Sequence, residues 1–154
     1  MKSAPVYRER LGPSLWAMVA AALSAPMAAL VFVQVNPTLA LAVGAVVGAA
    51  IIALMIAGSP VVEIRDGWLY AGRAHIEVRH LGGTEVFRGD EARAARGVGL
   101  HPRSWHVIRG GIDGIAVIEV TDPDDPCPSW VISSRTPDRL AAAVRSTEAA
   151  ASRA

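Results

Sequence analysis

The sequence predicts an α+β chain: two N-terminal apolar helices, then a mainly antiparallel β-roll closed by a C-terminal helix. Three observations carry this. From Leu11 to Val62 there is no Asp, Glu, Lys, Arg or His, a run of 52 residues. After Pro60, short alternating segments are separated by tight-turn signals. From Thr136 onward the apolar spacing becomes helical.

The apolar run is long enough for two bilayer crossings, since one takes about 20 apolar residues. Gln34-Val35-Asn36-Pro37-Thr38 is its only polar, turn-forming interruption. Residues 14–58 are therefore predicted to form a transmembrane helical hairpin, with spans near 14–33 and 38–57. Residues 1–13 are read as a cytoplasmic N-terminal tail. A cleaved signal peptide fits poorly, because the best small-residue site, Ser24-Ala25, is followed by Pro26. Lys2, Arg8 and Arg10 precede the first span, Arg65 and Arg73 follow the second, and the loop between carries no charge. The positive-inside rule then puts both termini in the cytoplasm and the chain in the plasma (inner) membrane. Trp16 falls near the inner interface. Pro26 lies mid-span and is read as a tolerated kink rather than a gating hinge.

Neither span holds an ionisable residue, which argues against ion or proton transport and suits an anchor. Ala40, Gly44 and Gly48 form a small-residue ridge, and Ala17, Ala21, Ala25 and Ala29 form another. Such ridges let helix backbones approach closely. Gly44 and Gly48 are therefore the helix-packing residues. Packing within one chain is preferred to a homodimer through the same glycines, because a short loop already joins the helices.

Residues 60–148 read as a cytoplasmic β-rich domain, and 149–154 as a disordered tail. Val62 and Ile64 alternate with Glu63 and Arg65. Asp66-Gly67 turns the chain into Trp68-Leu69-Tyr70, a strong hairpin signal. Ile76, Val78 and His80 make the next alternating set, and Gly82-Gly83 is read as a turn into Thr84–Phe87. A short helix follows, with Asp90 as its cap and Gly97 as its stop. Trp105–Arg109 and Ile115–Thr121 are expected to form a hairpin through Gly110-Gly111-Ile112-Asp113-Gly114. Trp130–Ser134 is the last strand. Thr136 then caps a helix with Pro137 in its first turn, and Leu140, Ala143 and Val144 share one face. Trp68, Trp105 and Trp130 are expected in the core. Sequential hairpins with a closing helix describe a PH-like roll.

Charge and cysteine content narrow the function. The N-terminal tail is +2 and residues 60–154 are −1, so there is no basic stripe for nucleic acid. Cys127 is the single cysteine, which rules out an internal disulfide and any CxxC metal site. Asp122, Asp124 and Asp125 lie together in a Pro-rich turn, yet they lack EF-hand spacing and are read as a solvated turn. His75, His80, His101 and His106 form no HxH or HExxH pattern. Cys127 has no local base, and the glycine-rich segment 110–114 precedes a strand rather than a helix. Arg65, Arg73, Arg79 and Arg88 are interleaved with acids and read as a mixed-charge face.

Tyr7-Arg8-Glu9-Arg10-Leu11, the two spans, Thr121-Asp122-Pro123-Asp124-Asp125-Pro126-Cys127-Pro128-Ser129-Trp130 and Ser134-Arg135-Thr136-Pro137-Asp138-Arg139-Leu140 together resemble an actinobacterial family of small two-span membrane proteins, catalogued as a domain of unknown function. The resemblance covers almost the whole chain. It implies membrane insertion and an actinobacterial source. Fourteen Arg against one Lys agree with a GC-rich genome. It brings no activity, cofactor or catalytic residue, and it implies that Cys127 is not essential.

The expected function is a membrane-anchored cytoplasmic interaction or scaffold domain. Its partners are the lipid bilayer and a protein or peptide, with no catalytic residue, cofactor or metal. The candidate interaction turn comprises Asp122, Asp124, Asp125 and Trp130. The alternative is a membrane-surface enzyme or lipid-handling protein with its site near the Asp122–Cys127 turn.

Overall fold

The computed structural model describes residues 4–153. The chain divides into two compact units. One comprises Gly12–Ser59, and the other joins the segment ending at Leu11 to the segment beginning at Pro60.

In the first unit, helix α1 (Leu15–Phe32) starts at Ser14, whose hydroxyl accepts from the Ala17 amide at 3.2 Å. Helix α2 (Pro37–Ala57) starts at Asn36, whose side-chain oxygen accepts from Thr38 and Leu39. These caps satisfy amides that helix starts leave free. Pro26 lies inside α1 without ending it. Both helices are long and apolar enough to cross a membrane. They pack antiparallel through small residues: Ala21, Ala40, Gly44 and Gly48 are buried. A Cβ on Gly44 would lie 2.6 Å from the Ala25 carbonyl oxygen, and one on Gly48 2.9 Å from the Ala25 Cβ. The large side chains point the other way. Leu15, Leu23, Met27, Leu30, Leu41 and Leu54 are all exposed. A helix pair stable in water buries large apolar side chains and exposes polar ones, so this unit is inside out.

The second unit is an α+β fold of two sheets. The first has the order β1-β2-β3-β4, all antiparallel. It comprises β1 (Tyr7–Arg10), β2 (Val61–Arg65), β3 (Trp68–Ala71) and β4 (Ala74–Glu77). Asp66 and Gly67 turn β2 into β3 with φ of 51° and 78°, the left-handed pair that a type I′ hairpin turn demands. Strand β1 departs from expectation. Residues 1–13 read as a tail, yet Tyr7–Arg10 pairs in register with Val61–Ile64. Leu11 is fully buried, and its amide donates to the Pro60 carbonyl at 2.9 Å. Met1–Ser3 lie outside the described residues.

The second sheet has the order β5-β7-β8-β6. It comprises β5 (Leu81–Phe87), β6 (Trp105–Val107), β7 (Ile115–Val120) and β8 (Ser129–Ser133). Three local expectations are corrected here. The chain turns at a 3₁₀ segment, Val78–His80, while Gly82-Gly83 lies within β5 at a register shift. Helix α3 spans Gly89–Ala95 with Arg88 at its cap position, so Asp90 sits in its first turn instead of capping it. The hairpin between the strands at 105 and 115 does not form: β6 pairs in parallel with β8. Strand β7 has β5 on one side and β8 on the other, so it has no edge left for a hairpin with β6, which adds to the outer edge of β8.

Helix α4 (Pro137–Ala151) closes the unit. It continues three residues into the segment expected to be a disordered tail, and Ala154 lies outside the described residues. Leu140, Ala143 and Val144 are buried on one face, against β1, β5 and β7 among others. Burying each large side chain contributes roughly 2 kcal/mol. Of the three tryptophans expected in the core, only Trp130 is buried, while Trp68 is half-buried and Trp105 is 38% exposed. Trp105 is on the edge strand β6, and its indole Nε1 donates to the Ala71 carbonyl at 3.4 Å.

Candidate functional site

Polar side chains gather in two places. The first is the turn between β7 and β8. Its carboxylates serve the turn itself: Asp122 Oδ1 accepts from the Asp124 amide at 3.0 Å, and Asp125 Oδ1 from the Cys127 amide at 2.9 Å. Pro123 and Pro126 remove two competing donors, which favours this side-chain-to-backbone geometry. Asp122 Oδ2 lies 3.3 Å from His80 Nδ1. Asp124 points to solvent. Asp125 and Trp130 border a cleft of about 290 Å³, which His75, Trp105 and Cys127 also line. Trp130 itself is 4% exposed and stacks obliquely on Trp105, with ring centroids 6.3 Å apart. The Cys127 thiol accepts from the Trp105 amide at 3.2 Å and donates to the Ser129 carbonyl at 3.3 Å. Among the described residues, no three His, Cys, Asp or Glu side chains are placed to hold a metal ion.

The second place is where β1 meets the corner between β8 and α4. Glu9 Oε2 accepts from the Tyr7 hydroxyl at 2.6 Å and from the Ser134 hydroxyl at 2.7 Å. Glu9 Oε1 accepts from the Arg135 amide at 2.9 Å. Ser134 Oγ in turn accepts from the Thr136 amide at 3.0 Å, and the Arg135 guanidinium donates to the Arg10 carbonyl at 3.1 Å. Thr136 is the residue before α4, but its hydroxyl lies 3.2 Å from the Tyr7 hydroxyl and does not cap the helix. Burial raises the Tyr7 phenol above its ordinary value, and the hydrogen bond to Glu9 adds to this. At the start of α4, a hydrogen bond from the Arg88 guanidinium holds the Asp138 carboxyl below its usual range.

None of Tyr7, Glu9, Ser134 or Thr136 stands out as a site by residue type. The signal present in the sequence is alternation: Tyr7 and Glu9 face one way, Arg8 and Arg10 the other. The segments 7–11 and 134–140, which carried much of the family resemblance, meet here. Chemically the arrangement is a tether. Both Glu9 oxygens are occupied by donors from its own fold, which leaves little capacity to take a proton from a substrate.

The chain is thus an α+β protein in which two apolar helices interrupt a sheet between its first and second strands. It matches the family described as Protein of unknown function (DUF3093) over residues 6–144 and belongs to that family. No curated protein and no solved structure matches it.

Proposed function

We propose that this is an integral membrane protein whose helical hairpin anchors a non-catalytic interaction module at the cytoplasmic face of the plasma membrane. The observation that carries the reading is the inside-out packing of α1 and α2. Small residues meet at the helix interface, and leucines, methionine and valines cover the outside. In water that exposed apolar surface is costly at about 25 cal/mol per Å². In lipid it is the matched solvent.

Several features support the details. The paired strands β1 and β2 flank the hairpin in sequence, so its two ends return to one sheet. Arginines cluster outside both ends of the charge-free run, which favours cytoplasmic termini. One meandering sheet, a second sheet and a closing helix favour a PH-like roll. The Asp122 and Asp125 carboxylates are taken up by their own turn, which favours binding over catalysis at that end.

Single-cysteine labelling tests the anchor. In a Cys127→Ser background, a membrane-impermeant maleimide applied to intact cells should label Asn36→Cys and spare Ser152→Cys. Labelling of position 152 from outside, with position 36 protected, inverts the orientation. Equal protection of both in intact cells, with release of the protein by alkaline carbonate, removes the membrane reading.

A further inference from the structure

We propose that the outer face of the sheet β5-β7-β8 docks a basic, partly apolar segment of a partner protein. This rests on the interaction-module reading above and names the surface and the partner's chemistry.

Alternation along the strands places Glu85 and Phe87 of β5, Val117 and Glu119 of β7, and Val131 of β8 on one face. The ladder sets Glu85 opposite Val117, and Val117 opposite Val131. Two adjoining grooves run along this face, of about 510 and 280 Å³, with Glu85, Val117 and Ser129 common to both. Ala92 and Ala95 of helix α3, with Leu100 and Ile108, pack over Ile115 and Val131 and leave Phe87 and Val117 partly open. The accessible apolar surface of the grooves comes from half-buried Phe87 and Val117 and from a rim at Val98, which is 98% exposed, while Val131 beneath them is buried.

Glu85, Glu91 and Glu119 border the grooves, and among the described residues none of them makes an ion pair. The nearby arginines are committed elsewhere: Arg88 to Asp138, Arg93 to Asp90, and Arg96 to the Ile112 carbonyl. His101 is the remaining basic side chain on the lining. The three carboxylates are also not grouped to share a cation. Glu119 is two positions from Val117 on β7, about 7 Å along the strand, while Glu85 is across the ladder and Glu91 is on α3. Charges spread along an apolar trough complement cationic side chains spread along a chain. A segment that buries small aliphatic side chains on Val117 and Val98 and extends Lys or Arg to the carboxylates fits both features. An acidic or purely polar segment fits neither.

The full chain in phosphatidylcholine nanodiscs tests this, with empty discs as the blank. The probes are a short fluorescent peptide of Lys, Ala and Leu, its Glu-for-Lys counterpart, and a Lys, Gly and Ser peptide without large apolar residues. The first should bind, more weakly at higher salt, and the other two should bind far less. Glu85→Gln with Glu119→Gln should weaken the first by roughly fivefold or more, and Val117→Asn should weaken it while leaving the salt dependence. An unchanged double variant overturns the proposal, as does equal binding of the Glu peptide. Mass measurement by light scattering on the detergent-solubilised chain adds a further arm. A dimer lost in the same variants would put a second copy in the groove and overturn the partner assignment. Failure with position 36 still labelled from outside removes the groove alone. Loss of that labelling removes the anchored-module reading.

Discussion

Glu9 accepts a hydrogen bond from the hydroxyl of Ser134 at 2.7 Å, joining residues 125 positions apart in the chain. The bond ties a strand that precedes the apolar helices to the corner that starts the last helix. Because Glu9 is only 12% exposed on its side chain, its demand for donors is met by the fold and not by water.

The first prediction tests that demand. Glu9→Gln keeps the shape but replaces one acceptor oxygen with a donor, facing hydroxyls and an amide that also donate. Destabilisation of about 1–3 kcal/mol is expected. Thermal unfolding of the detergent-solubilised chain reads it, with Arg79→Gln as a surface control. An unchanged midpoint would mean that the tether contributes nothing.

A second prediction concerns the boundary of the two-sheet unit. A fragment beginning at Pro60 lacks β1, exposes the edge of β2, and loses the burial of Leu11. It should be aggregation-prone or only partly folded. Joining residues 4–11 to Pro60 by a short Gly-Ser turn should restore a cooperative fold, since Leu11 and Pro60 already share a hydrogen bond. Equal far-UV spectra and denaturation curves for the two fragments would show β1 to be dispensable.

The helix interface gives the third. Gly44→Ile should separate α1 from α2, because even a Cβ there would meet the Ala25 carbonyl oxygen at 2.6 Å. Overpacking of this kind costs on the order of 1–3 kcal/mol. Ala53→Ile, on an exposed part of the same helix, is the control and should leave the melting temperature in detergent unchanged. Equal midpoints for the two variants would remove the close contact.

The fourth concerns pH. The Tyr7 phenol is raised above its ordinary 10.0 by burial first, then by its hydrogen bond to Glu9. The neutral form is therefore favoured in the folded chain. Its contribution is complete below pH 10.0 and is lost as pH rises through the folded value. Tyr7→Phe should be less stable than the parent near neutrality, with the gap narrowing above pH 10.0. Denaturation of both proteins across that range checks the sign, and a gap that widens would contradict it.

Local signals made several elements legible. The charge-free run, interrupted at 34–38, marked two apolar helices, while the caps at Ser14 and Asn36 came from the structure. Asp66-Gly67 turns tightly because both residues tolerate positive φ. The buried face of α4 follows from its spacing alone. For the candidate site, the Asp and Pro residues at 122–126 were legible as a turn held by its own side chains, but the cleft that Asp125 and Trp130 border with Trp105 was not.

What periodicity cannot convey is which strand finds which edge. Tyr7-Arg8-Glu9-Arg10 is short and polar, and it becomes a strand only because β2, more than fifty positions later, offers a free edge and a pocket for Leu11. Trp105 stays exposed because β6 is left with the outer edge of β8 once β7 is paired on both sides. The carboxylates of Glu85 and Glu119 come from different strands and share a groove only after β5 and β7 align. The sequence alone therefore determined the apolar hairpin, the tight turn and the terminal helix, which depend on neighbours along the chain. Tertiary structure decided the N-terminal strand, the edge of the second sheet and the docking face, because those depend on pairings between distant segments whose closure no local pattern records.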